Sequence, residues 1–430
     1  VVFFVLSSRK HSLLKAFVFK SRTLLTLYAA LVAFCLYTAV FAFRKAFNVA
    51  PFEGEGWAGL PYKVLLIIAQ VGGYMASKFY GIKFIAELKR LGRGRLLLIL
   101  VGISWFAWLL FALVPRPYNA ICLVLNGFPL GMIWGIVFSY VEGRKTTDII
   151  SAALAVSFIF ASGLAKTVAL WLMVRFQVSE FWMPFATGAI FFPPLLLMVW
   201  LMEKLPDPDQ ADTEAKAARV PMSGPDRSAF IRQFLPGVVA WVGVYVLVTI
   251  LREVRDSFLA DMWRESGETF SPSVFTRTET FIALSILCLI AAMVWVKDNY
   301  TAFQSAQWMM LGGMIIAMVG TSRFREAGTM FQFTTWVGLG LYLVYIPFNS
   351  ILFDRFLPAF RITGNVGFLI YIADAFGYLG SVLVLMSKSV LKLELNWLSF
   401  YRDLVMITGI VGLVLILFCI FYFHRKKRLL

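Results

Sequence analysis

Twelve apolar runs, each about as long as the 20 or so residues needed to cross a lipid bilayer, constrain this sequence more than any other feature. They fall at 23–47, 62–85, 95–114, 119–141, 149–174, 181–203, 234–256, 275–296, 302–321, 329–354, 365–387 and 403–423. In hydrocarbon the backbone must satisfy its own hydrogen bonds, so uninterrupted runs of this length read as helices. Composition agrees: 60% of the 430 residues are hydrophobic and 15% are charged, against roughly 45–50% and 25% in soluble domains. Soluble enzymes, disordered chains and disulfide scaffolds are excluded. The fold class is all-α polytopic, with twelve transmembrane helices.

The stretch 204–233 (KLPDPDQADTEAKAARVPMSGPDRSAFIRQ) is rich in Pro, Asp and Ala and holds no long apolar run, so it reads as an exposed linker. The domain plan is a lead-in at 1–22, a six-helix bundle at 23–203, the linker, a second six-helix bundle at 234–424 and a basic tail at 425–430. The opening VVFFVLSSRK sets its apolar residues before its charges, the reverse of a signal peptide, and reads as part of a lead-in lying on the membrane surface. Lys and Arg gather in the lead-in (Arg9, Lys10, Lys15, Lys20, Arg22), the second loop (Lys89, Arg90, Arg93, Arg95), the fourth loop (Arg144, Lys145), the linker and the tail. The first loop, VAPFEGEGWAGLP, has none. This bias places both termini and the linker in the cytoplasm. Arg323 and Arg325 in loop nine, and Lys392 and Arg402 in loop eleven, run against it without reversing it.

The net charge of +16 is therefore spread as orienting charge and forms no nucleic-acid face. Cys35, Cys122, Cys288 and Cys419 lie apart in apolar stretches with no C-x-x-C, so neither a disulfide nor a metal cluster is expected. His11 and His424, the two histidines, sit near opposite ends and exclude a histidine relay in mid-membrane. An internal echo links the halves: Tyr37 precedes Arg44 by seven residues, and Tyr245 precedes Arg252 by seven. Seven residues are about two helical turns, so each pair shares a face. Two related halves with a site between them are the architecture of a secondary transporter.

Ionisable groups in hydrocarbon cost about 2.5–3.5 kcal/mol each on insertion scales and are functional candidates. Glu142 with Arg144, and Asp354 with Arg355, lie at span ends, where interfacial ion pairs are ordinary. Arg255 and Asp256 read the same way, and Arg44 with Lys45 is placed to snorkel from the end of the first span. Lys78, Lys166 and Asp374 sit deeper. One account pairs Lys166 with Asp374 across helices. Even then Arg44, Arg252 and Lys78 leave positive charge in excess near mid-bundle, and an anion or water must solvate it. Arginine in particular suits bidentate binding of phosphate or carboxylate.

Several short motifs resemble the organophosphate:phosphate antiporters of the major facilitator superfamily, which include glycerol-3-phosphate and hexose-phosphate carriers. They are the FRKAFNVAPF run from Phe43 to Phe52, Tyr74 with Ser77-Lys78-Phe79, Gly127 with Gly131-Met132 and Trp134, Arg252 in span seven, Tyr345 with Pro347, and Phe376-Gly377-Tyr378-Leu379-Gly380. The loop Ala86 to Arg95 is similar to the superfamily's acidic-Arg-Gly-Arg loop, with Glu87 for the usual aspartate. The chain also looks like a group of bacterial membrane proteins of unassigned function.

The resemblance implies the major facilitator fold in a bacterial inner membrane. It implies that Arg44 and Arg252 hold a phosphoryl group, with Lys78 as an added positive group and with Tyr37, Tyr74 and Trp134 lining the cavity. Lys166 stands near where the family commonly has a histidine, and Asp374 is an acidic residue outside the family pattern; both are counted with the substrate site. The expected activity is exchange of a phosphorylated metabolite for phosphate by alternating access, in which two empty arginines repel and slow the return without cargo. The alternatives are a proton-coupled anion symporter using Asp374 and a non-transporting sensor on a carrier fold. With no HExxH, nucleophile–histidine pair or nucleotide loop, an enzyme is not expected. Nor are a cofactor, a metal or a nucleic-acid partner; the expected partners are a small anion and the bilayer, with the chain acting as a monomer.

Overall fold

The computed structural model describes residues 21–429 apart from 58, 87–91, 142–143, 145, 208–223, 294, 327, 363–366 and 391–395. The first half comprises α1 (Arg22–Lys45), continued by a 3-10 turn at Ala46–Val49, then α2 (Tyr62–Ala86), α3 (Arg93–Leu113), α4 (Ala120–Val141), α5 (Thr147–Phe176) and α6 (Met183–Glu203). The second comprises α7 (Gly224–Glu265), α8 (Ser273–Met293), α9 (Asn299–Glu326), α10 (Met330–Ser350), the short α11 (Leu352–Ala359), α12 (Gly367–Val390) and α13 (Trp397–Leu429). Apart from α11, each helix coincides with one apolar run. Among the described residues, ten helices are long and apolar enough to cross a membrane. The other two long ones, α2 and α12, have 25 and 24 residues and turn Lys63, Lys78 and Asp374 inward. The chain is an all-α integral membrane protein.

The largest departure from the sequence reading is α7. The apolar run at 234–256 lies within a helix of 42 residues, about 63 Å long at 1.5 Å per residue. The flanking turns also belong to the core, with Phe230, Phe258, Leu259 and Met262 all buried. Residues 224–233 of the expected linker are therefore helical. Residues 1–20 of the lead-in, Glu87, Lys89 and Arg90 of the second loop, Glu142 and Lys145 of the fourth, and Lys216 and Arg219 of the linker lie outside the described residues.

The packing repeats after six spans. In the first half α1 packs on α5 and α6, α2 on α4, and α3 on α4 and α6. In the second half α7 packs on α12 and α13, α8 on α10, and α9 on α10 and α13. The bundles meet through α2 against α12 and α5 against α8, two contacts that exchange under the same six-span shift. That exchange is the mark of a pseudo-twofold axis between the halves, the geometry in which a midplane site is shared by both.

Close helix approach has a visible cause. A Cβ added at Gly131 on α4 would stand 2.8 Å from the Tyr74 carbonyl oxygen and 3.1 Å from Ser77 Cβ on α2. One added at Gly163 on α5 would stand 2.6 Å from the Phe275 carbonyl oxygen and 2.8 Å from Glu279 Cβ on α8. Small residues let backbones meet where lipid supplies no hydrophobic drive. Gly163→Val is expected to wedge the bundles apart and cost about 1–3 kcal/mol, the usual range for overpacking. A lowered unfolding temperature in detergent checks this; an unchanged one would contradict the close contact.

Candidate functional site

Arg44 leaves α1 at its last turn, where carbonyls lose their intrahelical donors. Side chains from three neighbouring helices replace those donors. Trp108 Nε1 and Asn126 Nδ2 donate to the Phe43 carbonyl at 2.6 and 3.1 Å. Gln70 Nε2 donates to the Arg44 carbonyl at 2.8 Å and to Asn126 Oδ1 at 2.7 Å. This frame fixes the backbone from which Arg44 and Lys45 project. On the other side, α7 presents Arg252, Glu253, Arg255 and Asp256. At about 100° per residue, Glu253 and Asp256 share a face toward the first bundle. Arg255 falls on the side of α8 and α10, where it meets Glu279 and the Thr334 carbonyl.

The two arginines converge on one carboxylate. Arg44 Nη2 is 3.7 Å from Glu253 Oε1, and Arg252 Nη2 is 3.5 Å from Glu253 Oε2. Tyrosines floor the pair: the Arg44 guanidinium lies 3.8 Å above the Tyr74 ring, and that of Arg252 lies 4.6 Å from the Tyr345 ring. Arg252 Nη2 also donates to the Tyr378 hydroxyl at 3.0 Å. The Tyr74 and Tyr378 rings, 5.1 Å apart, join α2 to α12. One turn further along α2, Lys78 Nζ is 3.3 Å from Asp374 Oδ2, and Tyr245 donates to Asp374 Oδ1 at 2.5 Å.

A second group of ion pairs extends toward the first loop. Lys45 binds Glu253 and lies 3.1 Å from Asp256 Oδ2. Lys166 reaches Asp256 Oδ1 at 2.5 Å, and Ser162 donates to the same oxygen. Arg255 Nη1 is 2.7 Å from Glu279 Oε1. At the loop end Lys63 pairs with Asp261 at 2.5 Å, and Arg264 donates to the Val49 carbonyl. Of these ion pairs, all but Arg252–Glu253, Arg255–Glu279 and Lys78–Asp374 tie the first bundle or its first loop to α7. The Lys78–Asp374 contact ties α2 to α12.

Six basic side chains (Arg44, Lys45, Lys78, Lys166, Arg252, Arg255) and four acidic ones (Glu253, Asp256, Glu279, Asp374) form this interior group, and none is more than 9% exposed. The basic side chains exceed the acidic by two. Arg44 Nε and Nη2, and Arg252 Nε, are buried without a hydrogen-bond partner. Arg255 Nε is open as well; a buried donor left open is costly, and these donors lie in a group where cations outnumber carboxylates.

Four sequence expectations need correction. Lys166 and Asp374 do not pair with each other: Lys166 meets Asp256, and Asp374 meets Lys78 and Tyr245. Arg255 and Asp256 are not interfacial but 2% and 6% exposed, because α7 continues well beyond them. Arg44 and Lys45 do not snorkel; each has a carboxylate within reach in the interior. The repulsion expected between two empty arginines is offset by Glu253 lying between them. The Tyr74 ring lies between two cations, with the Arg44 guanidinium at 3.8 Å and Lys78 Nζ at 5.2 Å from its centre. Tyr37 and Trp134 form an aromatic cluster with Phe158, with ring centres 4.8–5.5 Å apart. Sequence reasoning missed Glu279 and the Lys63–Asp261 pair; an acidic residue inside the eighth apolar run was the available signal for the first.

The sequence model of a family of unknown function, DUF5690, matches residues 46–426. The chain belongs to that family. The matched range contains Lys78, Lys166, Arg252 and Asp374 and begins two residues after Arg44. Among curated proteins none matches the sequence. Among solved structures, a mutant of the peptide transporter POT in complex with alafosfalin is similar over 94% of this chain and 95% of that one, with a TM-score of 0.58 and 16% identity. At that identity the likeness shows the fold, and the DUF5690 chain has the major facilitator architecture.

Proposed function

We propose that the chain is a secondary transporter of a small organic anion, most specifically a phosphorylated metabolite exchanged for phosphate, working by alternating access. The observation that carries this reading is the meeting of Arg44 and Arg252, from opposite bundles, on one carboxylate with three guanidinium nitrogens left open. An anion entering there fills open donors and neutralises the surplus of two charges. It displaces Glu253, which keeps Lys45 as its partner. Loss of the anion restores the surplus in a dry interior, which disfavours closure without cargo and favours exchange over uniport. The fold shared with a peptide transporter supports carriage of a small solute, and this reading takes the chain as a carrier and not an enzyme.

Purified protein in phosphate-loaded vesicles tests the proposal through uptake of labelled phosphate against internal phosphate. Exchange that phosphate esters inhibit and dipeptides do not supports the specific form. Uptake of a labelled dipeptide with no phosphate exchange would replace it with peptide transport. Binding without uptake would leave a sensor.

A proton-linked variant of this reading rests on Asp374. Its carboxylate links α12 to Lys78 on α2, so protonation would loosen a contact between the bundles. Asp374→Asn is expected to retain counterflow of labelled phosphate while losing uptake driven by an imposed pH gradient. Gradient-driven uptake at the wild-type rate in that variant would remove Asp374 from the coupling.

A further inference from the structure

The outer surface at the end of α9 is furrowed. Two grooves meet at Arg323, which is exposed. One, of about 530 Å³, runs between α9 and α10 along Ile315, Val319, Gly320 and Trp336. The other, of about 300 Å³, runs between α9 and α13 along Met318, Met406 and Leu413. Arg323 lines both. It stands one turn before the end of α9 at Glu326, where a span leaves hydrocarbon for the headgroup layer. Trp336, 49% exposed, belongs to the residue type that favours this level. On α13, Arg402 is one turn from Met406 and so shares its face; its Nε is buried without a hydrogen-bond partner.

We propose that this surface binds an anionic phospholipid, with the headgroup phosphate at Arg323 and the acyl chains in the two grooves. The chemistry selects the occupant. Apolar furrows that open sideways toward the bilayer suit acyl chains, and a cation at their polar end suits a negative headgroup. The site also accounts for a charge that the orientation bias left unexplained: loop nine carries arginine on the face where the positive-inside rule disfavours it. Under the orientation set by that rule, the lipid belongs to the non-cytoplasmic leaflet. The site is separate from the Arg44–Arg252 centre and does not depend on what is transported.

Native mass spectrometry of the purified full-length protein, released from micelles containing equal phosphatidylglycerol and phosphatidylcholine, tests the assignment. Preferential retention of phosphatidylglycerol is expected, together with a higher unfolding temperature than phosphatidylcholine gives. Arg323→Gln should cut the preference about fivefold, since a basic side chain at a membrane surface contributes about 1 kcal/mol to anionic-lipid attraction. Val319→Trp, which fills a groove and leaves the charge, should lower retention of both lipids. Equal retention by the wild type, or an unchanged preference in Arg323→Gln, overturns the proposal. So does inorganic phosphate raising the unfolding temperature as much as phosphatidylglycerol does, because the site would then take a free anion.

Discussion

Arg44→Lys and Arg252→Lys are each expected to reduce phosphate exchange roughly 10- to 150-fold at limiting substrate, the equivalent of about 1.5–3 kcal/mol for a hydrogen bond to a charged group. Lysine keeps the charge, so the surplus over the four acidic groups is unchanged. It loses the planar fork that meets two oxygens at once and the flat face that lies on Tyr74 or Tyr345. A defect confined to KM would assign the arginines to binding, whereas a defect in turnover would assign them to closure around the anion. Full activity in both variants would remove the bidentate anion site and the proposed function with it. Glu253→Gln separates the roles further. It frees the arginines from their internal carboxylate and should tighten anion binding while slowing exchange, because the anion then has no internal competitor to release it.

Asp256→Ala should destabilise the protein by about 3–5 kcal/mol, the cost of leaving a buried ion without its partner. Asp256 holds Lys166 at 2.5 Å and Lys45 at 3.1 Å, and Lys166 is 1% exposed, so solvent does little to soften the loss. The change should appear as a marked drop in unfolding temperature in detergent. Lys166→Met combined with Asp256→Leu should recover most of it. The charge and its partner then leave together, apolar groups of similar volume fill the space, and Lys45 retains Glu253. A double variant no more stable than Asp256→Ala would show that the pair matters through shape and not charge. The same contact joins α5 to α7 across the bundles, so it must loosen when that face opens. The recovered double variant is therefore expected to populate the opposite conformation more readily and to change exchange rate as well as stability.

Much of the molecule was legible from the chain alone. The apolar runs and the helices agree closely, as with 62–85 against Tyr62–Ala86 and 119–141 against Ala120–Val141. The Tyr–Arg echo pointed to Arg44 and Arg252, which meet on Glu253, whereas Tyr37 packs with Trp134 and Phe158 of its own bundle. Gly127 and Gly131 stood in the sequence only as part of a resemblance, and the structure makes them the place where α4 meets α2. The length of α7 was not legible, because its outer turns mix charged and apolar residues and are held by packing that hydropathy does not register. The partners of the buried charges were not legible either. Lys166 and Asp256 lie 90 residues apart in sequence, and Tyr245 and Asp374 lie 129 apart.

The amino-acid sequence by itself determined that this chain crosses a membrane as helices in two related halves with surplus positive charge between them. Hydrocarbon tests each segment locally, and a run of apolar side chains satisfies that test wherever its neighbours lie. Only the tertiary structure decided which carboxylate neutralises which cation, and which guanidinium nitrogens stay open. An ion pair depends on two side chains meeting within a few ångströms, and here that meeting is set by helices that pack against each other from opposite halves of the chain.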